Sequence, residues 1–230
     1  ITAENLAKKY DISREEQEEM AVESHARATA AREAGKFSDE IVPIVDGNTR
    51  VEQDGCIRPE TTMETLAGLK PAFDENGTVT AATSSPLTDG ASATLVCSEE
   101  YADANGLKKL ARIKSIAVAG CAPELMGIGP VPATKKALER AGVTLADIDI
   151  IELNEAFAAQ ALAVLKESGM DFAKTNLDGG AIALGHPMGA TGARITGKVA
   201  SLLQREGKAL GLATQCIGGG QGIATVLEAC

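Results

Sequence analysis

No two cysteines of this chain stand at CxxC spacing, and the five present, Cys56, Cys97, Cys121, Cys216 and Cys230, are scattered and odd in number. That pattern suggests neither a disulfide framework nor a zinc site, and it fits a reducing, cytoplasmic compartment best. Histidine is scarcer still, with only His25 and His186. No apolar run reaches the roughly 18 residues of a membrane span, and no signal or transit peptide opens the chain. Positive charge is also short: 22 Lys and Arg against 32 Asp and Glu leave a formal charge of −10. Nucleic acid and anionic membrane surfaces both demand clustered basic residues, so neither is expected as the main partner. There is no initiator methionine, and the opening Ile1-Thr2-Ala3-Glu4 reads as cut from something longer. What remains is 230 residues, 44% of them hydrophobic, enough for a sizeable core in one or two globular domains.

Residues 1 to about 40 read as helical. Ser13 with Glu16 three residues on makes a capping box, and Gly35 closes the Ala-, Glu- and Arg-rich run that follows. The charges from Glu15 to Glu19 suggest a solvated face. His25 lies inside this helix without ligand-spaced neighbours and is assigned no role. From Phe37 to about Thr80 the pattern breaks into short pieces, including a short helix starting near Thr61 and stopping at Pro71. The Ala-rich run after Asp89 looks like a buried helix leading into a strand.

Beyond Lys109 strand-like and helix-like segments alternate at short loop lengths. ARIKSIAVAG is extended, Pro132 opens a helix that Gly142 ends, DIDIIEL is a short strand, and Asn154 to Ser168 is helical. TNLDGGAIAL and ALGLATQC read as extended, with the helix GATGARITGKVASLLQRE between them. This is the grammar of a layered α/β fold. GIATVLEA returns across the GGGQG turn as an antiparallel neighbour, so the sheet is mixed.

The chemistry gathers at the end of the chain. Asn154 follows a strand and begins a helix, a position for a cap or for a ligand contact at the C-terminal sheet edge. His186 sits between Gly185 and Pro187, and Cys216 ends an apolar run before three glycines. Glycines leave room for backbone and ligand to approach. A thiolate is favoured by a nearby imidazolium, and a Cys–His pair can trade protons near neutral pH. The amides of Gly218, Gly219 and Gly220 could line an anion pocket. The other four cysteines read as structural. A Cys–His hydrolase dyad is the weaker alternative, because no third orienting residue is evident.

Three ordered motifs carry a resemblance: Asn154-Glu155-Ala156-Phe157, the run GGAIALGHPMGATGAR from Gly179 to Arg194, and Cys216-Ile217-Gly218-Gly219-Gly220-Gln221-Gly222. They resemble the C-terminal motifs of the thiolases, the acetyl-CoA and 3-ketoacyl-CoA acyltransferases. GTVTAATSSPLTDGA and MGIGPVPATKKAL are similar to further segments of that family. The resemblance implies an α/β layered sandwich of two βαβαβαββ halves with a loop domain inserted in the first. On that map residues 1–80 form the mostly helical loop, or cap, domain, 81–110 the end of the N-terminal half, and 111–230 the C-terminal domain. The family's nucleophilic cysteine belongs to the first half, and none of the five cysteines here matches its motif.

The implied activity is ping-pong acyl transfer through cysteine, followed by Claisen condensation of acyl-CoA with acetyl-CoA, or thiolysis of 3-ketoacyl-CoA in reverse. By resemblance His186 activates the nucleophile and holds the thioester oxygen. Cys216 moves a proton on the α-carbon, Asn154 orients a water in one oxyanion hole, and the Gly218 amide donates to the other. Coenzyme A as substrate would lie against Arg58, Leu69, Phe73, Ser85, Ala156 and Phe157, with no permanent cofactor and no metal. Ala82-Thr83 stands where family members often have Gly-Asn, a departure at the pantetheine contact. The resemblance also implies a dimer or tetramer, and an isolated 230-residue chain that is inactive. The alternative is a non-catalytic C-terminal piece that keeps the fold and weak CoA binding.

Overall fold

The computed structural model describes residues 1–230. Its first elements are helices α1 (Thr2–Tyr10) and α2 (Arg14–Glu33), an exposed hairpin of β1 (Ile44–Asp46) and β2 (Thr49–Val51), and the short helices α3 (Met63–Ala67) and α4 (Glu99–Ala104). There follow β3 (Ala111–Gly120), α5 (Pro130–Ala141), β4 (Ile150–Leu153), α6 (Ala158–Ser168), α7 (Ala181–Leu184), α8 (Thr191–Glu206), β5 (Leu210–Ile217) and β6 (Gln221–Ala229). No helix is long and apolar enough to cross a membrane.

The last four strands make one sheet in the order β3-β6-β5-β4, antiparallel except for the β4–β5 pair. Strand alternation divides its side chains between two layers. Ile151, Leu153, Leu212, Ala224 and Val226 meet α5 and α6 on one side. Ile150, Ala213 and Leu227 meet Ile195, Val199, Leu202 and Leu203 of α8 on the other. The mixed α/β layering expected from the sequence is therefore present. Alanines at Ala158, Ala159, Ala161 and Ala163, all fully buried, let α6 lie close to the sheet on one side and to Leu6 and Ala7 of α1 on the other.

Helix α2 starts on the expected capping box: the Ser13 hydroxyl accepts from the Glu16 N–H while the Glu16 carboxylate accepts from the Ser13 N–H. Its charge run is not wholly a solvated face. Gln17 and Glu18 are buried, Gln17 donating to Thr78 Oγ1 and Glu18 pairing with Arg14 at 2.7 Å. Arg14 also reaches the carbonyls of Leu66, Ala67 and Leu69 at the end of α3, so packing against α3 draws this part of the helix inward. His25 is buried too, and its Nδ1 accepts the Arg58 N–H at 3.1 Å.

Four further expectations change. Helix α5 begins at Pro130, two residues before Pro132, because proline at its first position needs no N–H partner. Asn154 does not begin α6; residues 154–157 stay outside the helix with a bend at Ala156, Ser84 bridges to the extended Phe157, and the helix starts at Ala158, whose N–H donates to the Thr83 carbonyl. TNLDGGAIAL forms no fifth strand beyond a single parallel bridge between Ile151 and Thr175. Asn176 turns there to φ 51°, and its side-chain amide bonds both the N–H and the carbonyl of Leu153 at 2.9 Å. That side chain occupies the edge a strand would need, and Ala181–Leu184 becomes a short helix instead. Finally, the Ala-rich run after Asp89 is neither helix nor strand. Leu95 and Val96 are 74% and 68% exposed, so neither a core nor a neighbouring strand holds them in regular structure.

Candidate active site

Strands β4 and β5 run parallel, so their C-terminal ends lie side by side: Leu153 is paired with Thr214, and the Asn154 N–H donates to the Thr214 carbonyl at 3.0 Å. Asn154 and Cys216 therefore leave the sheet at the same edge. The side chain of Asn154 is fully buried, and its Nδ2 stands 3.4 Å from His186 Nε2.

The histidine reaches that position from a turn. Gly185 has φ 92°, a conformation that side chains disfavour, and a Cβ there would also press on Thr88. The His186 N–H donates to the Pro86 carbonyl at 3.3 Å. Its Nδ1 lies 2.7 Å from Thr191 Oγ1, whose own proton goes to the Pro187 carbonyl. Thr191 can then only accept, so the ring proton sits on Nδ1 and the lone pair of Nε2 faces Asn154. Burial, with the Arg194 guanidinium, holds the imidazole below its ordinary pKa. The ring is neutral at pH 7 and presents a base. Asn154 Oδ1 is buried without a partner in the chain, leaving an acceptor for a water.

Cys216 lies opposite Gly222 in the β5–β6 ladder. Burial pushes its thiol up to about 11, with Cys121 adding to the shift. No hydrogen bond joins it to His186. Burial penalises the charged form of each group, so the arrangement favours neither a thiolate at Cys216 nor an imidazolium at His186. The protonated thiol is thus favoured at Cys216, and no hydrogen bond makes it one member of a dyad with His186. After it, Gly218-Gly219-Gly220 turn into β6 with φ 88° and 95° at the last two. Gly218 is exposed with open space around it, and its N–H donates to no atom of the chain.

Four of the six candidate ligand contacts come together. The N–H and hydroxyl of Ser85 both donate to the Ala156 carbonyl, at 3.1 and 3.0 Å. The rings of Phe73 and Phe157 meet edge to face at 5.9 Å. Arg58 and Leu69 flank α3 on the exposed surface, and no hydrogen bond or ring contact joins their side chains to the other four. No cluster of three or more His, Cys, Asp or Glu side chains is placed to hold a metal.

Two supports were not singled out from the sequence. Residues 83–94 run as a strap over the site, touching in turn Ala158, Phe157, Ala156, His186, Gly185, Pro187, Ala190 and Ala193. Thr191, the partner that sets the histidine tautomer, stands five residues after His186; a hydroxyl at that short spacing was the available signal.

Two family descriptions match the chain: "Thiolase, N-terminal domain" over residues 1–100 and "Thiolase, C-terminal domain" over residues 107–229. A 3-ketoacyl-CoA thiolase of Marinobacter nauticus is 56% identical, with 99% of this chain and 61% of the relative covered. One of Shewanella frigidimarina is 58% identical over the same shares. The solved structure of human mitochondrial 3-ketoacyl-CoA thiolase in complex with CoA superposes at TM-score 0.97 and 47% identity, covering 100% of this chain and 58% of that one. The acetyl-CoA acetyltransferase of Bacillus anthracis superposes at 0.96 and 49%, covering 100% and 59%. The chain thus spans about three-fifths of the length of the relatives it matches, and it belongs to the thiolase family.

Proposed function

We propose that this chain carries the acid–base half of a thiolase active site and that the protein containing it is an acyl-CoA C-acyltransferase. The reaction is Claisen condensation of an acyl-CoA with acetyl-CoA, or CoA-dependent thiolysis of a 3-ketoacyl-CoA. The observation that supports it most is the His186–Asn154 pair, a neutral imidazole whose Nε2 lone pair is aimed at a buried amide with a free acceptor. Nε2 takes the proton of a nucleophilic thiol that is not among the five cysteines here, and afterwards donates to the thioester oxygen. A water held on Asn154 completes that oxyanion hole, while the Gly218 N–H serves the second. Cys216, protonated at neutral pH, gives its proton to the α-carbon in thiolysis; in condensation it first gives that proton to the CoA thiolate leaving in the acylation step, and the resulting Cys216 thiolate removes the α-proton of acetyl-CoA.

Coenzyme A and acyl-CoA are substrates in this reading, and no permanent cofactor is needed. Ser85, Ala156, Phe157 and Phe73 offer a packed wall for the pantetheine, with Leu69 and Arg58 toward the nucleotide end. The division into a cap over 1–80, the end of an N-terminal half over 81–110 and a C-terminal domain over 111–230 belongs to the same reading, as does assembly into a dimer or tetramer. Intact mass and acetoacetyl-CoA thiolysis test it together. Turnover that is lost in Cys216→Ala supports the assignment. A sample of only 23.6 kDa without turnover means a half-site. Turnover unchanged in Cys216→Ala refutes the role given to that thiol.

A further inference from the structure

Glu155 stands next to Asn154, yet its side chain points away from the site into the protein, where it is 2% exposed. Burying a carboxylate is costly unless donors surround it. Three do. Oε2 accepts from the Ser24 hydroxyl of α2 at 2.7 Å and from the Ile182 N–H of α7 at 3.2 Å, and Oε1 accepts from Asn176 Nδ2 at 2.7 Å. The Ser24 hydroxyl accepts in turn from the Gly180 N–H at 3.1 Å. Asn176 is the residue whose amide also closes the edge of β4 at Leu153. Any side chain at Gly180 would collide with the carboxylate, so the turn is shaped around it.

These bonds tie together what the reaction needs held apart from water and in register. One end of the network is the backbone of 153–155, which carries Asn154. The other is the turn at 179–180 and helix α7, which deliver Gly185 and His186 four residues beyond Ile182. The cap helix supplies the brace: besides Ser24, its Arg27 donates to the Thr175 carbonyl at 2.6 Å, and Ala28 packs on Gly179. The strap also bonds both sides of the 3.4 Å Asn154–His186 contact, through Ser85 on the Ala156 carbonyl and the Pro86 carbonyl on the His186 N–H, so the Glu155 network braces the contact from the protein side and the strap from the other.

We infer that Glu155 is a positioning residue that sets the Asn154–His186 geometry through the Ser24, Asn176 and Ile182 donors, and that the cap helix thereby controls the acid–base step. The inference rests on the thiolase reading for its effect on turnover, but its geometric content does not. Glu155→Gln keeps the shape and forces one amide N–H against a donor whichever way it turns. Ser24→Ala removes a single donor. Gly180→Ala displaces the carboxylate without changing it.

The test uses the full protein that carries these residues. Thiolysis of acetoacetyl-CoA should show kcat lowered at least tenfold in Glu155→Gln and severalfold in Ser24→Ala, with KM for CoA within twofold of the parent. The ring proton signals of His186, assigned by their loss in His186→Ala, report the site directly, and its pKa should move toward the ordinary imidazole value in both variants. If Glu155→Gln does not fold, Ser24→Ala and Gly180→Ala decide by the same readouts. An unchanged kcat and an unchanged His186 titration in folded variants overturn the inference. A parent protein without thiolysis activity refutes the functional reading alone, and the titration still decides the role of Glu155.

Discussion

From Ala111 onward the sheet has a helical layer on each face, whereas between Val42 and Val96 most large apolar side chains face water. In the later region Ile151, Leu153, Leu202, Leu212 and Val226 are all but inaccessible. In the earlier one Val42 is 83% exposed and Leu87 87%, with Ile44, Val45, Leu95 and Val96 also exposed. The later region closes most of its core within the chain, with Ile113, Ile116 and Val118 of the edge strand β3 left 40–45% exposed. The earlier one is held chiefly by backbone and hydroxyl contacts, such as Ser85 on Ala156 and Ser92 on Ala190. The strap thus serves the site rather than a core of its own.

The sharpest way to break this contrast is at the site itself. His186→Ala should lower thiolysis by about 10²- to 10⁴-fold, the range for losing a general base, with the unfolding midpoint little changed. Steady-state kinetics beside a thermal melt would show it; a loss below tenfold would remove His186 from the chemistry. Next in size, Leu212→Ala should cost about 2–5 kcal/mol, because it opens a cavity between closely packed layers, while Leu95→Ala in the strap should stay within about 0.5 kcal/mol. Urea titrations of both variants test whether only the later region carries core energy; equal costs would erase the comparison.

A third prediction sharpens the contrast through pH. Glu152 and Glu155 are both buried near the end of β4, but Glu155 has three donors and Glu152 Oε1 has none. Burial pushes the Glu152 carboxyl up to about 8, against the pull of Arg194 and Lys198. A carboxyl raised on folding binds its proton more tightly in the folded state. Its contribution is full below the unfolded value near 4.5 and is lost as pH rises through about 8. Glu152→Gln should shrink the stability difference between pH 5 and pH 9 by about 2–5 kcal/mol, an upper range for one group. An unchanged slope in chemical denaturation would mean Glu152 is ionised throughout. The smallest effect concerns the exposed side: residues 1–230 alone should bind a hydrophobic dye and self-associate through the apolar surface around Val42, Leu87 and Leu95. A compact monomer in ultracentrifugation that binds no dye would contradict this.

What the sequence determined by itself was the regular part and which residues are candidates for the site. Local signals suffice for these: the capping box at Ser13 and Glu16, the αL glycine Gly142 ending α5, the Gly turn joining β5 to β6, and the motifs around Asn154, His186 and Cys216. Tertiary structure decided how those groups are placed and what surrounds them. Asn154 looked like the start of a helix, but the burial of Glu155 and the bridge to Ser84 keep it outside the helix and turn its amide to His186. The TNLDGGAIAL run looked like a strand, but the Asn176 side chain takes the edge it would have used. The sequence left open whether Cys216 and His186 pair, and in the fold no hydrogen bond joins them while burial pushes the thiol up. Propensity and motif act over a few residues, whereas the protonation state and direction of a buried side chain depend on donors far away in the chain, as Ser24 is 131 positions from Glu155.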